Sequence, residues 1–286
     1  MRQLVRRFDF LQQAYWQARK GCGLPAKSEQ EVWHHLKRAS ESTPRPTTFQ
    51  FPWGEFKCID LGQVRAQFDE IFIRKEYAFK TDEAQPVIVD CGGNVGMSAV
   101  WFKQNYPDSK LTIYEPDPKL ADCIEANLAA AKLSGFTLQR KAVWVKSGQI
   151  GFDLAGNDSG KIKADASRQV EAVDLAEQLP AVTDLLKMDI EGAEYPVINH
   201  LCQTGAIQRV KNLVCEFHIL RGHDGDFLET TKKLLDSGMQ VAMNGAIAGP
   251  WLGKASEESP FAVIGRNHVL VEVYAWRNGV NGHGMK

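Results

Sequence analysis

The chain has no CxxC pair. Its six cysteines, Cys22, Cys58, Cys91, Cys123, Cys202 and Cys215, stand far apart, which argues against a zinc ribbon or a dithiol redox motif. For 286 residues they are also too few for a disulfide framework, and free thiols in a reducing cytoplasm are the simplest reading. No stretch approaches the ~20 apolar residues of a membrane span. The N-terminus lacks the uninterrupted apolar segment of a secretory signal. Neither charge is in excess, since 34 basic residues face 35 acidic ones for a net −1. Phosphate contacts need a basic surface, so this balance argues against a dedicated nucleic-acid binder. No internal repeat or low-complexity tract is evident.

What is present is a globular composition, with 44% hydrophobic residues to build a core. The length suits one large domain or one domain with an extension. Residues 1–43 read as polar and helical. Leu4, Val5, Phe8, Leu11, Tyr15 and Trp16 share a face, Arg2, Arg6, Arg7, Arg19 and Lys20 make the segment basic, and a second helix is expected over Ser28 to Ala39. An extension packed on the main domain is favoured over a membrane-surface helix. Phe49 to Leu61 reads as two short strands around Pro52-Trp53-Gly54, and Gln67 to Phe79 as partly helical. A boundary near residue 64 then separates an N-terminal helical and short-strand extension, 1–64, from a main domain, 65–286.

From Pro86 strands and helices alternate, the pattern of an α/β sheet covered on both faces. Strands are expected over Val87–Asp90, Lys110–Glu115, Phe136–Val145, Asp184–Asp189, Lys211–Phe217, Met239–Met243 and His268–Trp276. Helices are expected over Met97–Asn105, Pro118–Ser134, Val173–Gln178, Gly192–Cys202 and Phe227–Ser237. Gln149–Leu154 suits a hairpin extension, and Gly156 to Arg168 reads as a loop, with a turn at Asn157-Asp158-Ser159-Gly160.

The most informative stretch is Asp90-Cys91-Gly92-Gly93-Asn94-Val95-Gly96, which follows a strand and opens a helix. Glycine there permits a tight turn and close approach of a ligand. The spacing is D-x-G-x-x-x-G. A dinucleotide fingerprint needs G-x-G-x-x-G, and Asn94 and Met97 hold its second and third glycine positions, which disfavours a nicotinamide cofactor. Glu115 ends the next strand, where an acid can accept hydrogen bonds from both ribose hydroxyls of an adenosine. Pro116 and Asp117 fix the turn that follows. Ala142, in Lys141-Ala142-Val143, is small enough to let adenine lie on the third strand, although a plain core strand reads equally well.

Two further strand ends carry chemistry. Asp189-Ile190-Glu191-Gly192-Ala193-Glu194 sets three acids where the fourth strand meets its helix. One or two could cap helix amides, and the site reading is favoured for the set. Cys215-Glu216-Phe217-His218 places Glu216 and His218 on one face of the fifth strand. His218 is a candidate general base, and a histidine satisfied by a neighbouring carboxylate is the competing reading. His223 and Asp224 are weaker candidates. Asp189, Glu191, Glu216 and His218 could surround a hard cation, but their spacing matches no metal motif and no metal is expected.

At these residues the chain resembles the FkbM family of methyltransferases. The resemblance lies in VIVDCGGNVG at Val87–Gly96, IYEPDP at Ile113–Pro118, LLKMDIEGAE at Leu185–Glu194 and CEFH at Cys215–His218, with EIFIRKEY at Glu70–Tyr77 ahead of them. It implies a class I Rossmann-like fold with a doubly wound seven-stranded sheet. It implies S-adenosyl-L-methionine as methyl donor and a hydroxyl acceptor on a saccharide or a secondary metabolite. By that analogy Asp90, Gly92, Asn94 and Gly96 lie by the methionine part, Glu115 with Pro116 and Asp117 by the ribose, and Tyr77 approaches from the preceding segment. Catalysis is expected from His218, Asp189 and Glu191. Two other classes remain, a nicotinamide-dependent oxidoreductase and a non-catalytic nucleotide-binding module of the same fold. The acceptor and the oligomeric state are not legible.

Overall fold

The structure, a computed structural model, describes residues 28–44, 46–154, 160–162, 166, 168–220, 224–247 and 268–277. The helix expected over the first twenty residues, the turn residues Asn157 to Ser159, and His223 lie outside them. The chain divides into two compact units.

The first unit comprises residues up to Ala78, Gly93–Pro107 and Asp117–Gly135. Helix α1 (Glu29–Ser40) starts at a capping box, in which the Ser28 hydroxyl accepts from the Glu31 amide and the Glu31 carboxylate accepts from the Ser28 amide. It buries Val32 and Leu36. Strands β1 (Thr48–Phe51) and β2 (Gly54–Lys57) form the expected hairpin. Helix α2 (Leu61–Phe68) is capped by Asp60 and runs on into a π-helical turn over Asp69–Ile73. The expected start at Gln67 is therefore late, because the helix signal is the Asp60 cap rather than the aromatics. Those aromatics form a core: Trp53, Phe72 and Phe68 lie as stacked plates, with centroids 5.1 and 4.8 Å apart. Tyr77 stacks on Phe102 at 6.0 Å.

Helices α3 (Met97–Asn105) and α4 (Pro118–Ala130) complete this unit. Gly96, at φ +87°, opens α3, and a Cβ there would meet the Ile124 backbone of α4 at 3.2 Å. Asp117 caps α4 by accepting from the Lys119 amide, with Pro118 at the first helical position. Asn127, fully buried on α4, bonds three backbone groups. Its amide donates to the carbonyls of Val95 (2.8 Å) and Lys57 (2.9 Å), and its oxygen accepts from the Lys57 amide at 2.6 Å.

The second unit holds the sheet. Strands β3 (Val87–Cys91), β4 (Lys110–Tyr114), β5 (Phe136–Gln139), β10 (Thr183–Met188), β11 (Val210–Leu220), β12 (Gln240–Ile247) and β13 (His268–Trp276) lie in the order β12-β13-β11-β10-β3-β4-β5. All neighbours are parallel except β13, which is antiparallel to both β11 and β12. This is the doubly wound, Rossmann-like seven-stranded sheet expected. Every residue of β10 is buried, as a central parallel strand requires. The order reverses between β3 and β10, so the switch point, where such sheets bind ligands, lies at their carboxyl ends. Helices α6 (Glu194–Gln203) and α7 (Asp224–Asp236) belong to this unit.

Three expectations for the middle of the chain are corrected. Phe136–Val145 is not one strand. The chain leaves the sheet edge at exposed Arg140 and re-enters as β6 (Ala142–Trp144), in a separate four-stranded sheet ordered β6-β9-β7-β8. Ala142 therefore pairs with Ala172 of β9 (Arg168–Asp174) rather than extending β5. The stretch read as a loop contains strand β8 (Gly160–Ile162), which pairs with β7 (Gly148–Leu154). The turn residues around it hid so short a strand. Val173 belongs to β9, and Asp174 caps the short helix α5 (Leu175–Gln178).

Candidate active site

The carboxyl ends of β3, β4, β10 and β11 carry the chemistry-bearing residues of the second unit. On β3, Asp90 is fully buried. Gly92 follows at φ +86°, and its amide donates to the Tyr114 carbonyl at the end of β4 at 3.0 Å. A Cβ on Gly92 would come within 1.8 Å of the Asp189 carbonyl oxygen, so this glycine is demanded by the approach of the β10 end as well as by its turn. Glu115, directly after β4, is almost wholly buried, and its amide donates to the Gln139 carbonyl of β5.

Beneath the glycine turn lies Lys187 of β10, a residue the sequence reading passed over. In register opposite Asp90, it is 3% exposed. Its ammonium donates to the Gly92 carbonyl at 2.6 Å, and lies 3.3 Å from Asp90 Oδ1 and 3.9 Å from Asp189 Oδ2. Burial opposes the charge but is outweighed by the Asp90 and Asp189 carboxylates, so its pKa is raised.

The three acids of the DIEGAE stretch divide. Glu194 is fully buried, and its carboxylate accepts from the amides of Ile190 (3.0 Å) and Gly192 (2.9 Å) and meets His218 Nδ1 at 3.1 Å. It caps no amide of its helix, whose N-cap is Ala193 without a side-chain bond, and instead braces a strained turn in which Glu191 sits at φ +57° and Gly192 at φ +102°. Asp189 and Glu191 stay open to solvent, at 32% and 29% side-chain exposure.

Strand β11 runs three residues past its expected end, so His218 lies within it. The expected shared face with Glu216 is present: His218 Nε2 is 3.7 Å from Glu216 Oε1 and 3.3 Å from Glu191 Oε2. His218 is buried, which by itself disfavours its charge. The hydrogen bond and charge of Glu194, with Glu191 and Asp189 behind, more than reverse this and raise its pKa to about 10. At neutral pH His218 is therefore an imidazolium, a donor at both nitrogens, and not poised to take a proton. The pull is mutual: burial raises the Glu194 pKa, but His218 and the loop amides lower it below the usual glutamate value.

Asp189, Glu194 and His218 present ligand atoms within 4.8 Å of one another. The Glu194 oxygens are occupied by amides and imidazolium, however, so a cation would have to displace them. Cys91 and Cys215 are buried, and burial pushes both thiols up, so neither offers a thiolate. The structure thus brings together Asp189, Glu191, Glu216 and His218, and separately Asp90, Gly92, Lys187 and Asp189. Tyr77, Asn94, Gly96 and Asp117 belong to the first unit, where Asn94 at φ +49° accepts from the Val95 amide and Asp117 is a helix cap.

The family model described as the Methyltransferase FkbM domain matches residues 90–240, more than half the chain. Methyltransferase 1 of Beauveria bassiana is 29% identical over 205 residues, which are 61% of this chain and 80% of that protein. Methyltransferase sdnD of Sordaria araneosa is 26% identical over 198 residues, 54% of this chain and 76% of that protein. The solved structure of methyltransferase FkbM from Methylobacillus flagellatus superposes with a TM-score of 0.45 at 12% identity, covering 85% of this chain and 58% of that one. The chain belongs to the FkbM family of methyltransferases, and its methyl donor is S-adenosylmethionine.

Proposed function

We propose that this methyltransferase acts on oxygen, at a hydroxyl of a saccharide or a secondary metabolite. The observation that carries the reading is the open carboxylate pair, Asp189 and Glu191, held at the switch point beside the glycine turn and braced by the His218 imidazolium. When bound, S-adenosylmethionine supplies an electrophilic methyl group on its sulfonium. Glu115 has the place and chemistry to accept from the ribose hydroxyls, beside Pro116. Gly92 and Asp90 would lie toward the methionine part, and Ala142 and Asp189 would complete the donor side.

Asp189 would orient the acceptor hydroxyl, and Glu191 would accept its proton during methyl transfer. From Glu191, which is open to solvent, the proton would pass to water. His218 serves by fixing Glu191 and Glu216 and by balancing their charge. This departs from a histidine base because a group already protonated cannot fill that role. Most of the rate comes from positioning of the acceptor. The carboxylates suit a neutral, hydroxyl-rich acceptor better than a phosphorylated one. Residues 1–64 are read as an extension ahead of the transferase domain, and the absence of disulfides among the described cysteines suits a cytoplasmic setting.

A methyl-release assay over sugars, polyols, hydroxylated metabolites and their phosphate esters tests the reading. Turnover on neutral hydroxyl acceptors is expected. Donor binding without turnover on any of them would favour the non-catalytic alternative. Calorimetry should show tight S-adenosylmethionine binding and none of NAD, with a loss of at least tenfold in Glu115→Gln.

A further inference from the structure

We propose that Lys187 is a positioning residue for methyl transfer: its buried ammonium sets the orientation of the Gly92–Gly93 peptide and so shapes the donor turn. The inference rests on the reading of that turn as the S-adenosylmethionine site.

Lys187 stands in the middle of the sheet, on a strand whose every residue is buried. Its neighbours Leu186 and Met188 are apolar, and an apolar side chain at 187 would spare the cost of burying a charge. Neutralising Asp90 accounts for only part of what the ammonium does. Besides lying 3.3 Å from Asp90 Oδ1, it donates to the Gly92 carbonyl at 2.6 Å, a bond that charge balance does not require. The same residue's amide is held by the Tyr114 carbonyl of the neighbouring strand. Gly92 is thus gripped on both sides, in a backbone conformation at φ +86° that it holds against the Asp189 carbonyl.

A trans peptide sets its C=O and N–H in opposite directions. Drawing the Gly92 carbonyl down onto a buried ammonium therefore turns the Gly93 N–H away from the core. The turn gains an outward donor, the kind of group that binds a carboxylate. The ammonium also faces Asp189 at 3.9 Å, so one cation spans the donor turn and the strand end that carries an acceptor-side acid. Its role is to act through these groups, without touching either substrate.

The test compares three variants of the whole protein by calorimetry with S-adenosylmethionine, by steady-state kinetics and by thermal melting. D90N removes the carboxylate and keeps the Gly92 bond. K187M/D90N removes both, leaving no charge buried at the pair and only the solvent-open Asp189 carboxylate without its cation. K187Q/D90N restores a neutral donor for the carbonyl. The expected result is at least a tenfold loss of donor affinity from D90N to K187M/D90N, at melting temperatures within a few degrees, with the loss appearing in the donor KM more than in kcat. K187Q/D90N should recover to within about threefold of D90N. Equal affinity in D90N and K187M/D90N overturns the proposal, because charge balance would then be the whole role. If K187M/D90N fails to melt cooperatively while K187Q/D90N melts normally and binds, the need for a donor to Gly92 stands. If both fail, Lys187 is structural only and the proposal falls. Absence of S-adenosylmethionine binding by the unaltered protein would instead sink the reading of the turn.

Discussion

His218 Nδ1 lies 3.1 Å from Glu194 Oε1, with both side chains buried. One residue is on β11 and the other opens α6, so the pair joins the fifth strand to the turn after the fourth. Removing either partner leaves the other charged and buried. Glu194→Ala should therefore cost about 3–5 kcal/mol, measured by denaturant unfolding.

The pH dependence of stability carries the same signature. The pKa of His218 rises on folding from 6.5 to about 10, so its contribution is full below about pH 6.5 and is lost as the pH climbs to about 10. Glu194 is shifted down, so its contribution is present above its ordinary value of 4.5 and is lost as the pH falls through its lower folded value. Melting temperature should thus be highest between about pH 5 and 6.5 and decline toward pH 10. In Glu194→Gln the alkaline decline should flatten, and an unchanged slope would show that the pair is not the cause.

Turnover should follow the same protonation. Because His218 stays charged through neutrality, kcat should show no step near pH 6.5 and should fall as the pH approaches about 10. His218→Ala is expected to cut kcat by roughly 100-fold or more while leaving donor affinity within a few-fold. Glu191→Gln should lower kcat by a similar factor, since it removes the proton acceptor. A clear ionisation near 6.5 in the rate profile would restore the histidine base.

Gly92→Ala is expected to be among the most damaging single changes. A Cβ there meets a backbone oxygen, and φ is +86°. A loss of about 3 kcal/mol or more is expected, roughly 10 °C in Tm for a chain of this size. Gly192→Ala is the control. Its φ is +102° but nothing lies within 4 Å of a built Cβ, so strain alone should cost about 1–2 kcal/mol.

Chelation should leave the rate unchanged. Nδ1 of His218 is taken up by Glu194, and its protonated Nε2 faces the two carboxylates that a cation would otherwise share. Turnover after dialysis against EDTA, with and without added Mg²⁺, checks this. A rate restored only by the metal would assign the cluster to a cation.

The sequence made the sheet and its switch point readable because buried parallel strands and glycine turns leave strong local patterns. The Asp90–Gly96 spacing and the acids near Asp189 were both visible that way. What stayed hidden depended on distant partners. Lys187 looks like one charge in a strand until Asp90 and Gly92 are brought against it from nearly a hundred residues away. His218 reads as a base until three carboxylates surround it. The break at Arg140 was hidden because edge strand and second sheet share one composition. Among the DIEGAE acids, burial alone separates the turn brace, Glu194, from the open pair.

Asn127 gives the extension a different standing. Its amide is completed by both backbone groups of Lys57 and by the carbonyl of Val95, just past the donor turn. A fragment cut to begin at residue 65 would strip two of three bonds from a fully buried amide. The hairpin that carries Lys57 is therefore tied into the buried hydrogen bonding of α4 rather than appended to it. The cost of losing the hairpin would thus be felt at the centre of α4, as an amide stripped of partners it can replace only with water.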